Sequence, residues 1–251
     1  MEIGAQLFTV NAFCKDLDGF AESLKRIADI GYKNVQVSGT CDFDPQWLNE
    51  QLRSNGLKCV LTHTKAPELI GDAKKVAENH NVFDCDYVGL GMFNFKPEER
   101  EENYKKFIDT YSSVANILAE NGKYFMYHNH ANEFIKIGGK TILDKMAEDI
   151  PEDKMGFTLD TFWIQAGGAD PAAYIEKFSG RVPCIHLKDF AYEGDKIMAV
   201  VGEGNINFDR IFEKAESAGT KYMLVEQDNC NGENPFDCLK RSYEYLKSCG
   251  F

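Results

Sequence analysis

The sequence predicts a single α/β domain, a closed (β/α)8 TIM barrel over residues 1–251, and three observations carry that prediction. Short apolar, β-branched runs alternate strictly with amphipathic segments, eight of each. The phrases GYKNV, NGLKCV, NGKYF and AGTKYM repeat one αβ-loop chemistry, with Gly after a helix and Lys just before a strand. No Gly/Ser linker, charge block or low-complexity tract divides the chain.

In chain order, the strands are expected at Glu2–Phe8, Asn34–Val37, Lys58–His63, Tyr87–Leu90, Lys123–His128, Met155–Asp160, Pro183–Leu187 and Tyr222–Glu226. Helices are expected near residues 16–30, 44–55, 67–80, 98–120, 140–149, 171–179, 207–218 and 234–248, several opened by Asp, Thr or a first-turn Pro. Strict alternation implies parallel strands joined by right-handed crossovers. Eight such units in a chain of 251 residues fit a closed barrel better than a doubly wound sheet of five to seven strands.

Hydrophobic residues make up 43% and charged residues 27%, enough for a large core. A net charge of −12 and a pI near 4.9 argue against nucleic acid, whose binding rests on basic residues. The opening MEIGAQLFTV has no basic n-region, and no apolar run is long enough to span a bilayer. Eight cysteines without a CxxC pair read as reduced thiols in a cytoplasmic protein, with Cys59 and Cys184 in the core.

Barrel chemistry sits at the carboxyl ends of the strands. There the chain places His63 (third strand), His128 (fifth), Asp160 (sixth), His186 (seventh, with Lys188 two residues on) and Glu226 (eighth). One such residue is an ordinary rim residue facing water. Several converging on one mouth, each after buried apolar residues, are unfavourable unless paired or bound to metal. Carboxylates and imidazoles without clustered thiolates suit Mn²⁺, Mg²⁺, Co²⁺ or Zn²⁺. Asp160, His186 and Glu226 hold equivalent positions in GFTLD, PCIHL and YMLVE. The fifth strand supplies a fourth ligand from FMYHNHANEF: His128 by strand phase, or Glu133 by reach from the following loop.

IGAQLFTV, YHNHANEF, LDTFWIQAGGADPAAYIEKFSGRVPCIHLKD, VGEGNINF and YMLVEQDN, in this order over nearly the whole chain, resemble the sugar phosphate isomerase/epimerase family of xylose isomerase-like TIM barrels. The resemblance implies a divalent ion held by Glu, Asp, His and Glu from strands five to eight. Carried over, these are Glu133, Asp160, His186 and Glu226, with His128 either replacing Glu133 or contacting substrate. Many relatives end strand two in glutamate, whereas this chain has Gln36.

The activity so implied is isomerisation or epimerisation of a small-molecule sugar by proton abstraction next to a carbonyl. In this scheme Glu226 and Glu133 are the acid/base pair, and His63, His128, His130, Trp163 and Lys188 contact substrate. Loss of water or aglycone from a 3-keto sugar, keto-glycoside or inosose is the alternative, and a non-catalytic sugar-binding barrel is another. Neither nucleic acid nor membrane is expected as a partner, and self-association into a homo-oligomer is left open.

Each role has a plainer account. Lys188 can pair with Asp160 or Asp189, His130 can cap the strand-five loop, and Phe162 and Trp163 can pack the rim. GEGNINF reads better as an Asn207 N-cap than as a phosphate cradle, and His80 reads as a surface cap at a helix end.

Overall fold

The computed structural model describes residues 1–251 and forms a closed barrel of eight parallel strands. These are β1 (Glu2–Gln6), β2 (Asn34–Val37), β3 (Lys58–His63), β4 (Tyr87–Leu90), β5 (Tyr124–His128), β6 (Met155–Asp160), β7 (Cys184–Leu187) and β8 (Tyr222–Val225). Each pairs with its sequence neighbours, and β8 closes on β1 from Glu2↔Tyr222 to Ala5↔Val225. The strands fall where the alternation put them, with ends moved by one or two residues. β1 stops at Gln6 because its side chain accepts from Phe8 N–H and opens a 3-10 segment, Leu7–Phe13.

Around the barrel run α1 (Leu17–Ile30), α2 (Pro45–Ser54), α3 (Ala66–Val82), α4 (Arg100–Glu120), α5 (Ile142–Asp149), α6 (Thr161–Ala166), α7 (Pro171–Lys177), α8 (Phe208–Ala218) and α9 (Pro235–Ser248). Their starts follow capping chemistry. Asp16, Asp44, Thr141, Asp170, Asn207 and Asn234 each accept a first-turn N–H, and Pro opens α2, α7 and α9. Three elements were not expected: α6, and two hairpins, Lys136–Ile137 with Lys140–Thr141 and Asp189–Tyr192 with Lys196–Ala199. They are too short for periodicity to register.

The main core fills the layer between strands and helices, and a smaller one, including Met126, Cys184 and Leu224, plugs the barrel interior. Cys59 and Cys184 are buried, and all eight thiols are free. His80 corrects an expectation. It is not a surface cap but 5% exposed, bonded through Nδ1 to Val76 O (2.7 Å) and through Nε2 to Thr62 Oγ1 (2.8 Å). Burial presses its pKa down to about 4, so the ring is neutral. At Gly89 a Cβ would meet Thr62 O at 2.3 Å and His63 Cδ2 at 3.1 Å, so only glycine lets β4 lie against the end of β3.

Candidate metal centre and active site

Strand alternation turns Tyr127, Leu159, Leu187 and Val225 into the outer core and their neighbours His128, Asp160, His186 and Glu226 into the barrel mouth. One donor atom from each of these four buried residues converges, all within 4.8 Å of one another. His186 Nδ1 is 2.8 Å from Glu226 Oε2 and 3.7 Å from Asp160 Oδ2, and His128 Nε2 is 3.4 Å from Asp160 Oδ2.

Every member is anchored through its other atom. Gly91 O lies 2.8 Å from His128 Nδ1, and Gln36 Oε1 lies 2.6 Å from His186 Nε2. Both partners can only accept, so those nitrogens carry protons, and Nε2 of His128 and Nδ1 of His186 face the cluster. Asp160 Oδ1 caps α6 by accepting Trp163 N–H at 2.9 Å, which leaves Oδ2 free. Gln6 Nε2 donates to Glu226 Oε1 at 2.7 Å, which leaves Oε2 without a hydrogen-bond donor. Two imidazole nitrogens and two carboxylate oxygens thus face one point, an arrangement that is favourable when positive charge lies among them. The donor set fits a divalent ion.

Some of that charge is built in. Lys188, 1% exposed, places Nζ 3.2 Å from Asp160 Oδ2, 3.0 Å from Glu226 Oε2 and 3.0 Å from Asp228 Oδ2, and donates a hydrogen bond to the last. Burial opposes its charge, but the three carboxylates outweigh that and hold it protonated. For Asp160 and Glu226 burial alone would raise the pKa, and Lys188 with the imidazoles reverses this and keeps both ionised. Burial lowers the proton affinity of His186 too, yet Glu226 and Asp160 lift it above the usual value. Asp228 is pushed up to about 7 by burial and Glu226, against the pull of Lys188.

The mouth, about 350 Å³, is lined by Gln6, Phe8, His63, His128, His130, Lys188, Glu226 and Asp228 among others. The His63 ring stands 5.1 Å from that of His128 and 5.6 Å from that of His186, with Ser38 Oγ at 3.2 Å from its Nδ1 and no partner on Nε2. His130 packs between His128 (4.7 Å) and Trp163 (5.1 Å), and Trp163 lies under Lys188 Nζ at 5.6 Å. Gln36 Nε2, His130 Nδ1 and Trp163 Nε1 are buried and unpartnered as well. These bare polar atoms gather at one barrel end, which makes it the candidate ligand site.

Glu133 departs from its expected place among the ligands. Its Oε1 accepts from Tyr127 Oη at 2.5 Å and its Oε2 from His130 N–H at 2.8 Å, within the 3-10 turn Ala131–Phe134. Tyr127 belongs to the outer core, so these bonds turn Glu133 away from the mouth, and the structure brings His128 to the cluster instead. Burial raises the Glu133 pKa to about 7 despite both bonds. Lys188 pairs with Asp160 and not with Asp189. Asp189 fills the glycine loop itself, accepting from the N–H groups of Phe190, Gly202, Gly204 and Ile206 at 2.8–3.2 Å. Asp189 thus occupies the amides of Gly202, Gly204 and Ile206 that a phosphate would need, and Asn207 caps α8 as expected.

Two supporting residues, Gln6 and Gln36, were given no role from sequence, although Gln6 ends β1 and Gln36 lies one residue before the end of β2.

Comparison with known proteins bears on this geometry. Residues 24–249 match a family model described as a xylose isomerase-like TIM barrel. An inosose dehydratase from Geobacillus thermodenitrificans (strain NG80-2) is 27% identical over 179 residues, a match that covers 63% of this chain and spans only 59% of that relative's length. Among solved structures, a sugar phosphate isomerase/epimerase from Parabacteroides distasonis ATCC 8503 is similar with a TM-score of 0.86 at 21% identity, covering 99% of this chain and 94% of that one. An L-ribulose 3-epimerase is similar with a TM-score of 0.76 at 15% identity, covering 99% of this chain and 94% of its own.

Proposed function

Because the chain belongs to the xylose isomerase-like TIM barrel family, we propose that it is a divalent-metal-dependent carbohydrate enzyme that removes the proton next to a sugar carbonyl. The observation that carries this reading is the set of four buried donors, each fixed through one atom and converging through the other. His128, Asp160, His186 and Glu226 would hold the ion. Two imidazoles beside two carboxylates favour Mn²⁺, Co²⁺ or Zn²⁺ over Mg²⁺. When bound, the ion supplies a Lewis acid that lowers the cost of negative charge on two adjacent substrate oxygens.

Glu226 is the base. Its Oε2 faces the cluster, while Oε1 keeps a lone pair beside the Gln6 amide for the substrate proton. Abstraction leaves an enediolate, and the bare N–H groups of Gln36 and Trp163 offer donors to its oxygens. His63 and His130 orient hydroxyls. Lys188, with three carboxylate partners, balances charge at the site. With no cluster of free Lys or Arg lining the mouth, a neutral sugar suits it better than a sugar phosphate.

Return of the proton at the neighbouring carbon or the opposite face gives the isomerase/epimerase outcome. A second reading, loss of a β-oxygen as water or aglycone, draws on a specific observation. With Glu133 turned away and Gln36 near the end of β2, Glu226 lacks the opposing carboxylate that a two-base epimerisation uses, and a dehydratase is among the relatives. The test is deuterium uptake at the carbon next to the carbonyl in D₂O with Mn²⁺, over a panel of ketoses, inososes and keto-glycosides, with products analysed by NMR. Exchange with an epimer or isomer supports the first outcome, exchange with loss of water or aglycone the second. No exchange with any compound would leave a sugar-binding barrel.

The ligand assignment makes its own prediction. His128→Ala should weaken Mn²⁺ binding about 100-fold or more, since even an outer-shell partner is worth ~10–100-fold. Glu133→Ala should leave that affinity near wild type while lowering stability by about 1–3 kcal/mol, because Tyr127 Oη and His130 N–H lose a buried acceptor. Calorimetric metal titration and denaturant unfolding read the two effects, and the reverse pattern would restore Glu133 as the ligand.

A further inference from the structure

The ladders of the barrel end at the ligands or just before them. Between β5 and β6 the last paired residues are His128↔Thr158, two positions short of Asp160, and between β6 and β7 they are Asp160↔His186. A metal centre demands more than a barrel does at these ends, because donors from different strands must meet at distances correct to about 0.2 Å. Side chains take over where the ladders stop. Asn129, directly after His128, offers Oδ1 to the Asp160 N–H at 2.9 Å, the kind of acceptor that a longer β5 ladder would supply. Thr161, directly after Asp160, holds Lys188 by both of its main-chain groups: Oγ1–H donates to Lys188 O at 2.8 Å and Oγ1 accepts the Lys188 N–H at 3.0 Å, with His186 O at 3.2 Å. The last ligand has a backbone bond instead, Glu226 N–H to Leu187 O at 3.1 Å.

Asn129 and Thr161 are both 0% exposed, so water does not compete for these bonds. Neither is among the residues that line the mouth, and neither belongs to the converging donor set. Their reach is to the main chain of the residues that do. Fixing the Asp160 main chain fixes where Oδ2 stands, since Oδ1 is already held by the Trp163 N–H. Fixing Lys188 fixes an ammonium that stands 3.2 Å from Asp160 Oδ2 and 3.0 Å from Glu226 Oε2, and the contact to His186 O holds a ligand's own main chain. In sequence the pattern is His128-Asn129 and Asp160-Thr161, a ligand followed by a short polar side chain that bonds across to the next strand.

We propose that Asn129 and Thr161 are positioning residues of the metal centre: Asn129 registers Asp160 against β5, and Thr161 registers His186 and Lys188 against β6. This rests on the reading of the four-donor cluster as a metal centre.

The test titrates Mn²⁺ calorimetrically into metal-free wild type and variants. Thr161→Val and Asn129→Leu keep the size of the side chain but remove the cross-strand bond, and each should weaken Mn²⁺ binding about tenfold or more. Thr161→Ser keeps the hydroxyl and should recover most of that affinity. Thr220→Val is the control, because Thr220 Oγ1 donates to Val182 O at 2.8 Å and makes another buried cross-strand bond, at the amino end of the barrel. It should unfold at lower denaturant, as Thr161→Val does, yet bind Mn²⁺ within about twofold of wild type. Thr161→Ala and Asn129→Ala stand in for a variant that circular dichroism finds unfolded. Wild-type affinity in both Thr161→Val and Asn129→Leu would overturn the proposal. So would a loss in Thr220→Val as large as theirs, which would make weaker binding a general result of weaker folding. A wild-type protein that binds none of Mn²⁺, Co²⁺ and Zn²⁺ would overturn the metal reading itself, and the proposal with it.

Discussion

Glu226→Gln is expected to lower turnover, and deuterium exchange at the substrate carbon with it, by about 10²–10⁴-fold, the range a positioned acid/base group contributes. The substitution keeps the shape and a hydrogen-bonding carbonyl for the Gln6 amide, but removes the charge that makes position 226 a base. In the proposed mechanism Glu226 takes the proton in its ionised form, and its surroundings hold it ionised. Burial alone would raise its pKa, and Lys188 and His186 more than reverse that. The fold should survive, since Lys188 keeps Asp160 at 3.2 Å and Asp228 at 3.0 Å as counter-ions. Circular dichroism and a thermal melt check that point, and unchanged exchange in the variant would remove Glu226 from the mechanism.

The barrel was legible because eight periodic segments each had to bury one face, and only a parallel closed sheet does so for all of them at once. Asp160, His186 and Glu226 were legible for the same reason. Each follows an outward-facing apolar residue, so strand phase alone sends it into the mouth. The choice between His128 and Glu133 was not legible, because it turns on a contact to the opposite face of β5. Tyr127 Oη reaches round to Glu133, and a 3-10 turn of four residues makes the reach possible. Strand phase did favour His128, whereas the bond from Tyr127 Oη that holds Glu133 appears only in the fold.

Gln6 and Gln36 illustrate a different limit. Their importance lies in which nitrogen or oxygen of a ligand they occupy, across sequence separations of 220 and 150 residues. His80 was a misjudged periodicity: Leu69, Ala73, Val76, Ala77 and His80 share the buried face of α3, so its position already pointed inward.

Lys188→Met should move two measurements in opposite directions. Without metal, the variant loses the one buried ammonium among Asp160, Glu226 and Asp228, and breaking a buried pair from one side costs about 3–5 kcal/mol. Unfolding in EDTA should therefore begin at lower denaturant than in wild type. With Mn²⁺ the order changes. The ammonium stands within 3.2 Å of two ligand oxygens, so it opposes a dication placed among them. Its removal should tighten Mn²⁺ binding about tenfold or more, and an ion that binds only the folded state returns stability by mass action. Methionine fills a similar volume, which separates charge from packing. If Lys188 were simply a substrate contact, neither metal-free stability nor Mn²⁺ affinity would change and only KM would rise. Weaker Mn²⁺ binding in the variant would mean that the ammonium supports the ion's site through its geometry and does not compete with the ion for the same carboxylates.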